Sequence, residues 1–432
     1  MLDFYHSLTK LSGPSLRLTL KKRLRRGKED PARLAERMGR PGLPRPAGKL
    51  AWFHAASVGE AQSTLILIDA LLARFPDLHV LVTTGTVTSA EIMAQRLPSR
   101  AFHQFYPLDH PAWVENFLTH WSPDIVFWME SELWPNMLKG IRTRNIHCIL
   151  MNARMSRRSY RRWKRFRDSA AALLSTFDLC LAQTEEDAEA FLRLRALNVQ
   201  VSGNLKYSAA PLPCDDAALE RVSGAVGPRP LWLYASTHDG EEALACRTHM
   251  LLKQKYPSLL TVIAPRHPER RAGILALCKE SGLNAVLRGA EQNLPGPDTD
   301  IYIADTMGEM GLFYRLAPLS VIGRSFSRDG GGGHNPLEAA LLGSAVLHGP
   351  AVQNLDEIFA EMDAASAAIR VETPEALAEV LGRLLGDLPA LTELQIQGSR
   401  FAQGKAEILP RIIQSLEPYL IDSGIMTEGP RS

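Results

Sequence analysis

The stretch KLAWFHAASVGEAQSTLILIDALL, residues 49–72, decides the fold. It opens as a continuous apolar run, KLAWFHAA (49–56), and continues as an amphipathic helical pattern over 60–74. A strand apolar on both faces, followed at once by a helix, is the opening of a βαβ unit in a parallel sheet. At the junction stand Ser57, Gly59 and Glu60. Ser57 and Glu60 have the S-x-x-E spacing of a capping box. A carboxylate at the end of a buried strand is either a helix cap or a catalytic base.

Outward from this stretch the rhythm repeats. Further strand candidates are HVLVTT (79–84), DIVFWM (124–129), HCILMN (147–152) and DLCLA (178–182), with another helical stretch at 184–195. Proline and glycine are dense over 203–230, which marks a linker. The alternation restarts with strand candidates at 231–236, 259–264, 301–305, 319–323 and 344–348. Helical patterns lie at 240–255, 268–281, 335–342 and 374–385. The predicted organisation is an N-terminal segment (1–48), a first Rossmann-like domain (49–212), a second (225–404), and a C-terminal helix and tail (405–432). Two doubly wound α/β domains facing a central cleft make the GT-B plan, which activated-sugar transferases use.

Bulk composition narrows the function classes. The 432 residues are 45% hydrophobic and 22% charged, an ordinary globular balance. A net charge of +2 gives no global field for nucleic acid. Five cysteines without a CxxC pair predict buried thiols in a reducing compartment. The first forty residues hold no run of 18 apolar residues, because Lys10, Pro14 and Arg17 interrupt it, so neither a membrane span nor a signal peptide is expected. Leu2, Tyr5, Leu8 and Leu11 can share one helical face, and Lys21, Lys22, Arg23, Arg25, Arg26 and Lys28 follow. That pairing suits a helix lying on an anionic membrane surface or a basic helix docked on the fold.

The chemistry-bearing residues fall after the strands. In STHDGEE (236–242), Ser236 and Thr237 can cap a helix near Asp239 or offer donors to an anion. In PRHPER (265–270), Arg266 and His267 suit a phosphate, or a surface ion pair with Glu269. In DTMGEMG (305–311), Gly308 permits close approach, and Glu309 either accepts from a ribose or base or favours the next helix. RDGGGGHNPLEAA (328–340) holds four consecutive glycines, which imply backbone beside a ligand, a mobile lid or a solvated loop. There, Pro336 suits a first helical turn that also carries Glu338. WMESELWPN (128–136) ends a strand with Glu130 and Glu132, and GNLKY (203–207) places Lys206 after another. NARMSRRSYRRWKRFRD (152–168) packs eight cations, from Arg154 to Arg167, among Tyr160, Trp163 and Phe166. Arginine mixed with aromatics suits nucleic acid or an anionic lipid surface. Dinucleotide, P-loop, HExxH and GxSxG signatures are absent, so no metal or other cofactor is implied.

HAASVGE (54–60), ESELWPN (130–136), GNLK (203–206), STHDGEE, PRHPER, DTMGEM (305–310) and GGHNPLEAA (332–340) occur in this order. Together, and with RGKEDPARLAERMGRP (26–41), they closely resemble the 3-deoxy-D-manno-octulosonic acid (Kdo) transferases of lipopolysaccharide synthesis. The resemblance runs over nearly the whole chain. It implies an inverting GT-B transferase with CMP-Kdo as donor, the lipid A precursor lipid IVA as acceptor, and no metal. Motif by motif it makes Glu60 the proton acceptor and Glu130 and Lys206 transition-state stabilisers. It gives CMP binding to Arg266, His267, Met307, Gly308, Glu309, Asn335, Pro336, Leu337 and Glu338, with further donor contacts at Ser236 and Thr237.

The chemistry is coherent with those roles. An oxocarbenium-like transition state with inversion needs one base opposite the leaving group, and the leaving phosphate needs cations. The 152–168 cluster and the N-terminal face would then grip the phosphates of the acceptor lipid and an anionic inner-membrane surface rather than nucleic acid. Two departures stand out. The hydrophobic opening usual in the family is broken here, so peripheral attachment to the cytoplasmic side of the inner membrane is expected. GRSFSRDGGGG (323–333) also differs from the expected approach to the HNPLE run. The rival readings are another GT-B nucleotide-sugar enzyme, such as an N-acetylglucosamine 2-epimerase, and a non-catalytic basic membrane-binding module. A box hydrogen bond would lower the basicity of Glu60. Ser57 is therefore expected to cap the helix while Glu60 points into the cleft, not back to the Ser57 amide.

Overall fold

The computed structural model describes residues 2–130, 132–208, 211–289, 291–327 and 330–427. It divides into two compact units, Met1–Ser208 with Glu407–Ser432, and Ala209–Ala406. The first contains β1 (Lys49–His54), β2 (Leu78–Thr84), β3 (Ala101–Phe105), β4 (Ile125–Met129), β5 (His147–Ala153), β6 (Leu179–Ala182) and β7 (Val199–Val201). These pair in parallel in the order β3-β2-β1-β4-β5-β6-β7. The second contains β8 (Leu231–Thr237), β9 (Leu260–Pro265), β10 (Ala285–Leu287), β11 (Ile301–Ile303), β12 (Leu319–Ile322), β13 (Ala345–His348) and β14 (Ala368–Arg370). These are also parallel, in the order β10-β11-β9-β8-β12-β13-β14.

Period-two geometry explains the continuous apolar runs. In β1, Leu50 and Trp52 enter one core with Val126, Trp128 and Leu150. Ala51 and Phe53 enter the other, with Ile125, Phe127 and Ile149. A central parallel strand has no solvent face, so both sets must be apolar.

The ten predicted strands are all present. The four that sequence reading missed are β3, β7, β10 and β14, which are the four sheet edges. The basic segment 26–41 is partly turned inward. Glu29, 4% exposed, takes Arg23 at 2.5 Å and Arg37 at 3.4 Å. Glu36 takes Arg33 at 2.8 Å and accepts from the Phe105 amide at 2.8 Å.

The closing helix, Ile408–Asp422, belongs to the first unit. Ile408, Ile412, Leu416 and Leu420 recur every four residues and enter the core that holds Leu65, Ile68 and Leu205. Leu416 is 0% exposed. Leu416→Ala should therefore lower the unfolding free energy of this unit by about 2–5 kcal/mol, measured by denaturant unfolding.

Candidate active site

In a doubly wound sheet, ligands bind beyond the carboxyl ends of the strands where the strand order reverses. That point lies between β1 and β4 in the first sheet and between β8 and β12 in the second. Glu60 lies in the first turn of the helix that follows β1, and the residue after β4 is Glu130. STHDGEE spans the end of β8, the turn after it and the first residues of the next helix, and the loop after β12 leads to HNPLE. The sheets thus bring Glu60 and Glu130 to adjacent strand ends, with His54 opposite Trp128 in the register.

Ser57 caps the helix Val58–Arg74, its side chain accepting from the Glu60 amide at 3.3 Å. The Glu60 carboxylate departs from expectation. It does not reach the Ser57 amide, but it is not turned wholly away either: Oε2 accepts from the Ala56 amide at 2.8 Å, and the residue is 8% exposed. The cause is the chain's passage from strand to helix, where an amide without a ladder partner needs an acceptor. One such bond uses one of about four lone-pair sites on a carboxylate.

Four non-glycine residues at these strand ends have left-handed backbone: Glu130 (φ 56°), Asn152 (φ 51°), Ser236 (φ 57°) and Arg324 (φ 61°). Glu130 keeps its strand hydrogen bond, donating to the Met151 carbonyl at 2.9 Å. Asn152 and Ser236 both fall inside register shifts. Such bends cost energy and re-aim side chains, which is why they gather at functional sites. The second carboxylate of ESELWPN is employed locally. Glu132 accepts from Trp134 Nε1 at 2.9 Å and lies 3.8 Å from His54 Nε2. Burial pushes its carboxyl up, but the nearby His54 ring and the Trp134 hydrogen bond outweigh this and hold it below the ordinary value. Ser131, in the same motif, lies outside the described residues.

Lys206 is exposed on the short turn Leu205–Tyr207, anchored by buried Leu205. Three residues that sequence reading did not single out build that turn. Asn204 Oδ1 accepts from the Lys206 amide at 3.0 Å, Asn152 Oδ1 from the Leu205 amide at 3.0 Å, and Gln183 Nε2 donates to the Asn152 carbonyl at 2.9 Å. An asparagine ending a strand was the available signal, since asparagine tolerates φ > 0.

In the second unit, Ser236 and Thr237 do not cap the next helix. That helix is Glu241–Lys253, and the cap position is Gly240 at φ 88°. The two carboxylates that follow do the tying. Glu241 accepts from the amides of His238 (2.9 Å), Arg324 (2.7 Å) and Phe326 (3.0 Å), joining the loops after β8 and β12. Burial pushes its carboxyl up, and those amide bonds oppose the shift. Glu242 accepts from the Thr237 hydroxyl at 2.9 Å and from Arg270 at 2.6 Å, so Thr237 already has an internal acceptor. Gly323 allows the two loops to meet, since a Cβ there would lie 2.2 Å from the Ser236 carbonyl.

The glycine run is packed. Gly330 to Gly333 all have positive φ, and a Cβ on Gly332 would lie 2.2 Å from Asn354. Gly331, Gly332 and Gly333 are buried, which removes the solvated-loop reading for them. Arg328 and Asp329, just before the run, lie outside the described residues. The run delivers His334, whose Nε2 lies 3.1 Å from His238 Nε2. Arg266 is exposed after β9 and acts electrostatically on both His334 and Glu338. His267 lies 3.5 Å from Glu269, and its ring is 5.9 Å from that of His238. Asn335 Oδ1 accepts from the Leu337 amide at 3.1 Å, and Pro336 holds the cap position of the helix Leu337–Leu341. Burial pushes the Glu338 carboxyl up, against Asn335 and Arg266.

Glu309 is also engaged. Arg288, 1% exposed, grips its two oxygens at 2.6 Å each, and Thr306 donates to it as well. That bidentate pair holds the Glu309 carboxyl below its ordinary value. It fixes the turn that leaves Gly308 at φ 83° and Met307 76% exposed. Among the described residues no group of three or more His, Cys, Asp or Glu is arranged to hold a metal ion.

Two doubly wound parallel units, each with polar side chains at and beyond the carboxyl ends of its strands, define the GT-B class. The UDP-GlcNAc 2-epimerase of Neisseria meningitidis shares this fold, with a TM-score of 0.50 and 14% identity over 86% of this chain and 100% of that one. The family model of 3-deoxy-D-manno-octulosonic-acid transferase (kdotransferase) matches residues 32–209. A 3-deoxy-D-manno-octulosonic acid transferase of Rickettsia bellii is 33% identical over 97% of this chain and 100% of its own length. That of Haemophilus influenzae is 32% identical over 90% of this chain and 91% of its own length. The chain belongs to the 3-deoxy-D-manno-octulosonic acid transferase family and is a glycosyltransferase.

Burial, reinforced by the charges of His238, Arg266, Arg324 and His267, holds the His334 imidazole down at about 4. Its ordinary value is about 6.5. As pH falls, the unfolded chain takes up this proton first, so the contribution is intact above about 6.5 and lost on the way down to about 4. Urea unfolding of the second unit should become easier over that window, and His334→Gln should flatten the dependence.

Proposed function

We propose that the chain moves Kdo from CMP-Kdo to the lipid A precursor lipid IVA, with inversion, releasing CMP in lipopolysaccharide core biosynthesis. The observation that supports this most directly is the pairing of family membership with Glu60 and Glu130 at the adjacent carboxyl ends of β1 and β4. In this reading Glu60 removes the proton from the acceptor hydroxyl. The oxygen attacks the anomeric carbon as the bond to the CMP phosphate breaks, and the electron pair leaves on that phosphate. Glu130 lies beside the developing positive charge on the sugar, and Lys206 and Arg266 take the negative charge that moves onto CMP.

The second unit holds CMP. Arg266 and His267 serve the phosphate, together with the paired His238 and His334. The preformed turns at Met307 to Glu309 and Asn335 to Glu338 supply backbone and side-chain contacts to the rest of the nucleotide. Glu309 contributes mainly through the turn that Arg288 locks. Rigid supports of this kind suit catalysis by positioning, since a misplaced group costs rate steeply.

We also place the chain at the cytoplasmic face of the inner membrane, attached peripherally. Among the described residues no helix is long and apolar enough to cross a membrane. The exposed apolar residues Phe4, Leu8, Leu11 and Leu18, with the cations of 157–167, suit an anionic lipid surface.

Purified protein given CMP-Kdo and tetra-acylated lipid A precursor should release CMP and extend the acceptor. Glu60→Gln should lose about 10²–10⁴-fold in turnover, the usual worth of a general base. Absence of turnover in folded protein would refute the central reading, and full activity in Glu60→Gln would refute the base. For the membrane reading, sedimentation with vesicles should rise with the fraction of anionic lipid and fall with salt. Indifference to lipid charge would count against it.

A further inference from the structure

Beside the ESELWPN motif the first unit holds an apolar groove of about 400 Å³. Phe4 and Leu8 of the first helix, Leu2–Leu11, form one wall. Leu133 and Trp134 form the floor, and Trp163 and Phe166 the opposite wall, with Arg162 at its side. The groove is preformed because the first helix is pinned by polar contacts. Tyr5 donates to Asp109 at 3.0 Å, His6 Nδ1 lies 2.9 Å from Asn136 Oδ1, and Asn136 Nδ2 donates to Thr9 at 2.9 Å. These pins hold Phe4 72% exposed and Leu8 56% exposed, with Phe166 facing them at 49%. A preformed concave groove lined mainly by apolar and aromatic side chains has the form of a ligand site.

Two observations say what fills it. The wall that carries Trp163 is the helix Arg157–Lys164, with Arg157, Arg158, Arg161, Arg162 and Lys164 all exposed. An apolar slot edged by guanidinium groups is complementary to a hydrocarbon chain that ends in phosphate. The floor belongs to the catalytic neighbourhood. Trp134 donates to Glu132 at 2.9 Å, and Glu132 lies 3.8 Å from His54, the last residue of β1. A chain lying in the groove would bring its head group toward the strand ends that Glu130 and Glu60 follow.

We infer that this groove binds one fatty acyl chain of the phosphorylated acceptor lipid, and that the 157–164 cations take its phosphate. This rests on the proposed acceptor, and it makes the groove a determinant of acceptor choice. Each buried methylene adds about fourfold in affinity, so the slot selects acceptors by their acylation.

The test uses the full chain and dodecyl phosphate brominated at mid-chain, below its micellar concentration. Bromine in the groove should quench tryptophan fluorescence, with part of the quench lost in Trp163→Phe. The paired substitutions Leu8→Asp and Phe166→Asp lie at exposed positions, and circular dichroism would verify the fold. They should weaken the probe at least tenfold and cut the kcat/KM preference for tetra-acylated over de-acylated acceptor at least tenfold. Equal competition by butyl phosphate, quenching by vesicles but not by monomeric probe, displacement by an oligonucleotide, or an unchanged acceptor preference would each overturn the inference. Probe binding in a protein that transfers Kdo to neither acceptor would instead sink the functional reading, and with it the assignment of the groove to the acceptor.

Discussion

A parallel strand buried on both faces cannot return through a tight turn. It must cross over through a helix, and every crossover begins at the same edge of the sheet. In each unit this constraint puts seven strand ends along one edge. The strands there are mainly apolar, with polar residues such as His54 and Thr237 at their carboxyl ends, so polar chemistry gathers at and beyond those ends. Glu60, Glu130, Lys206, Arg266 and Glu309 all occupy such places.

Crowding so many loops together leaves backbone amides that neither strand nor helix satisfies. Buried carboxylates answer that need throughout the molecule. Glu241 takes three amides, Glu36 takes Phe105, and Glu60 takes Ala56. Asp109 takes the amides of Asn136 and Met137, and burial still pushes its carboxyl up despite those bonds. An unsatisfied buried amide costs about 1–3 kcal/mol, which is enough to hold each acid in place. The double duty of Glu60 follows from the same pressure. Its Oε2 bond to Ala56 orients the carboxylate while lone pairs remain for chemistry.

Legibility differed by element for physical reasons. β1, β4, β8 and β12 are central strands whose mainly apolar, buried runs carry the signal. β7, β10 and β14 have three residues each and partly exposed side chains, so their sequences carry no alternation to read. In the site, residues with long-range partners were the hardest to see. Asn152 matters because Leu205 lies 53 positions away in sequence and 3.0 Å away in space. Thr237 looked like a cap because its neighbours in sequence fit, and Arg288 was overlooked because Glu309 is 21 positions away.

From the sequence alone came the parallel α/β class, the repetition of the doubly wound unit, and the ordered motifs that mark the Kdo transferases. All of these depend on local periodicity and on short, contiguous residue patterns. Only the tertiary structure decided which hydroxyls and carboxylates are already engaged, how the glycine run packs, and that Ile408–Asp422 returns to complete the first core. It also decided the orientation of Glu60. A capping-box spacing permits the carboxylate to reach several amides, and the path of residues 54–58 between sheet and helix selects Ala56 rather than Ser57. Hydrogen-bond selection of this kind depends on where distant segments meet, and no local pattern encodes it.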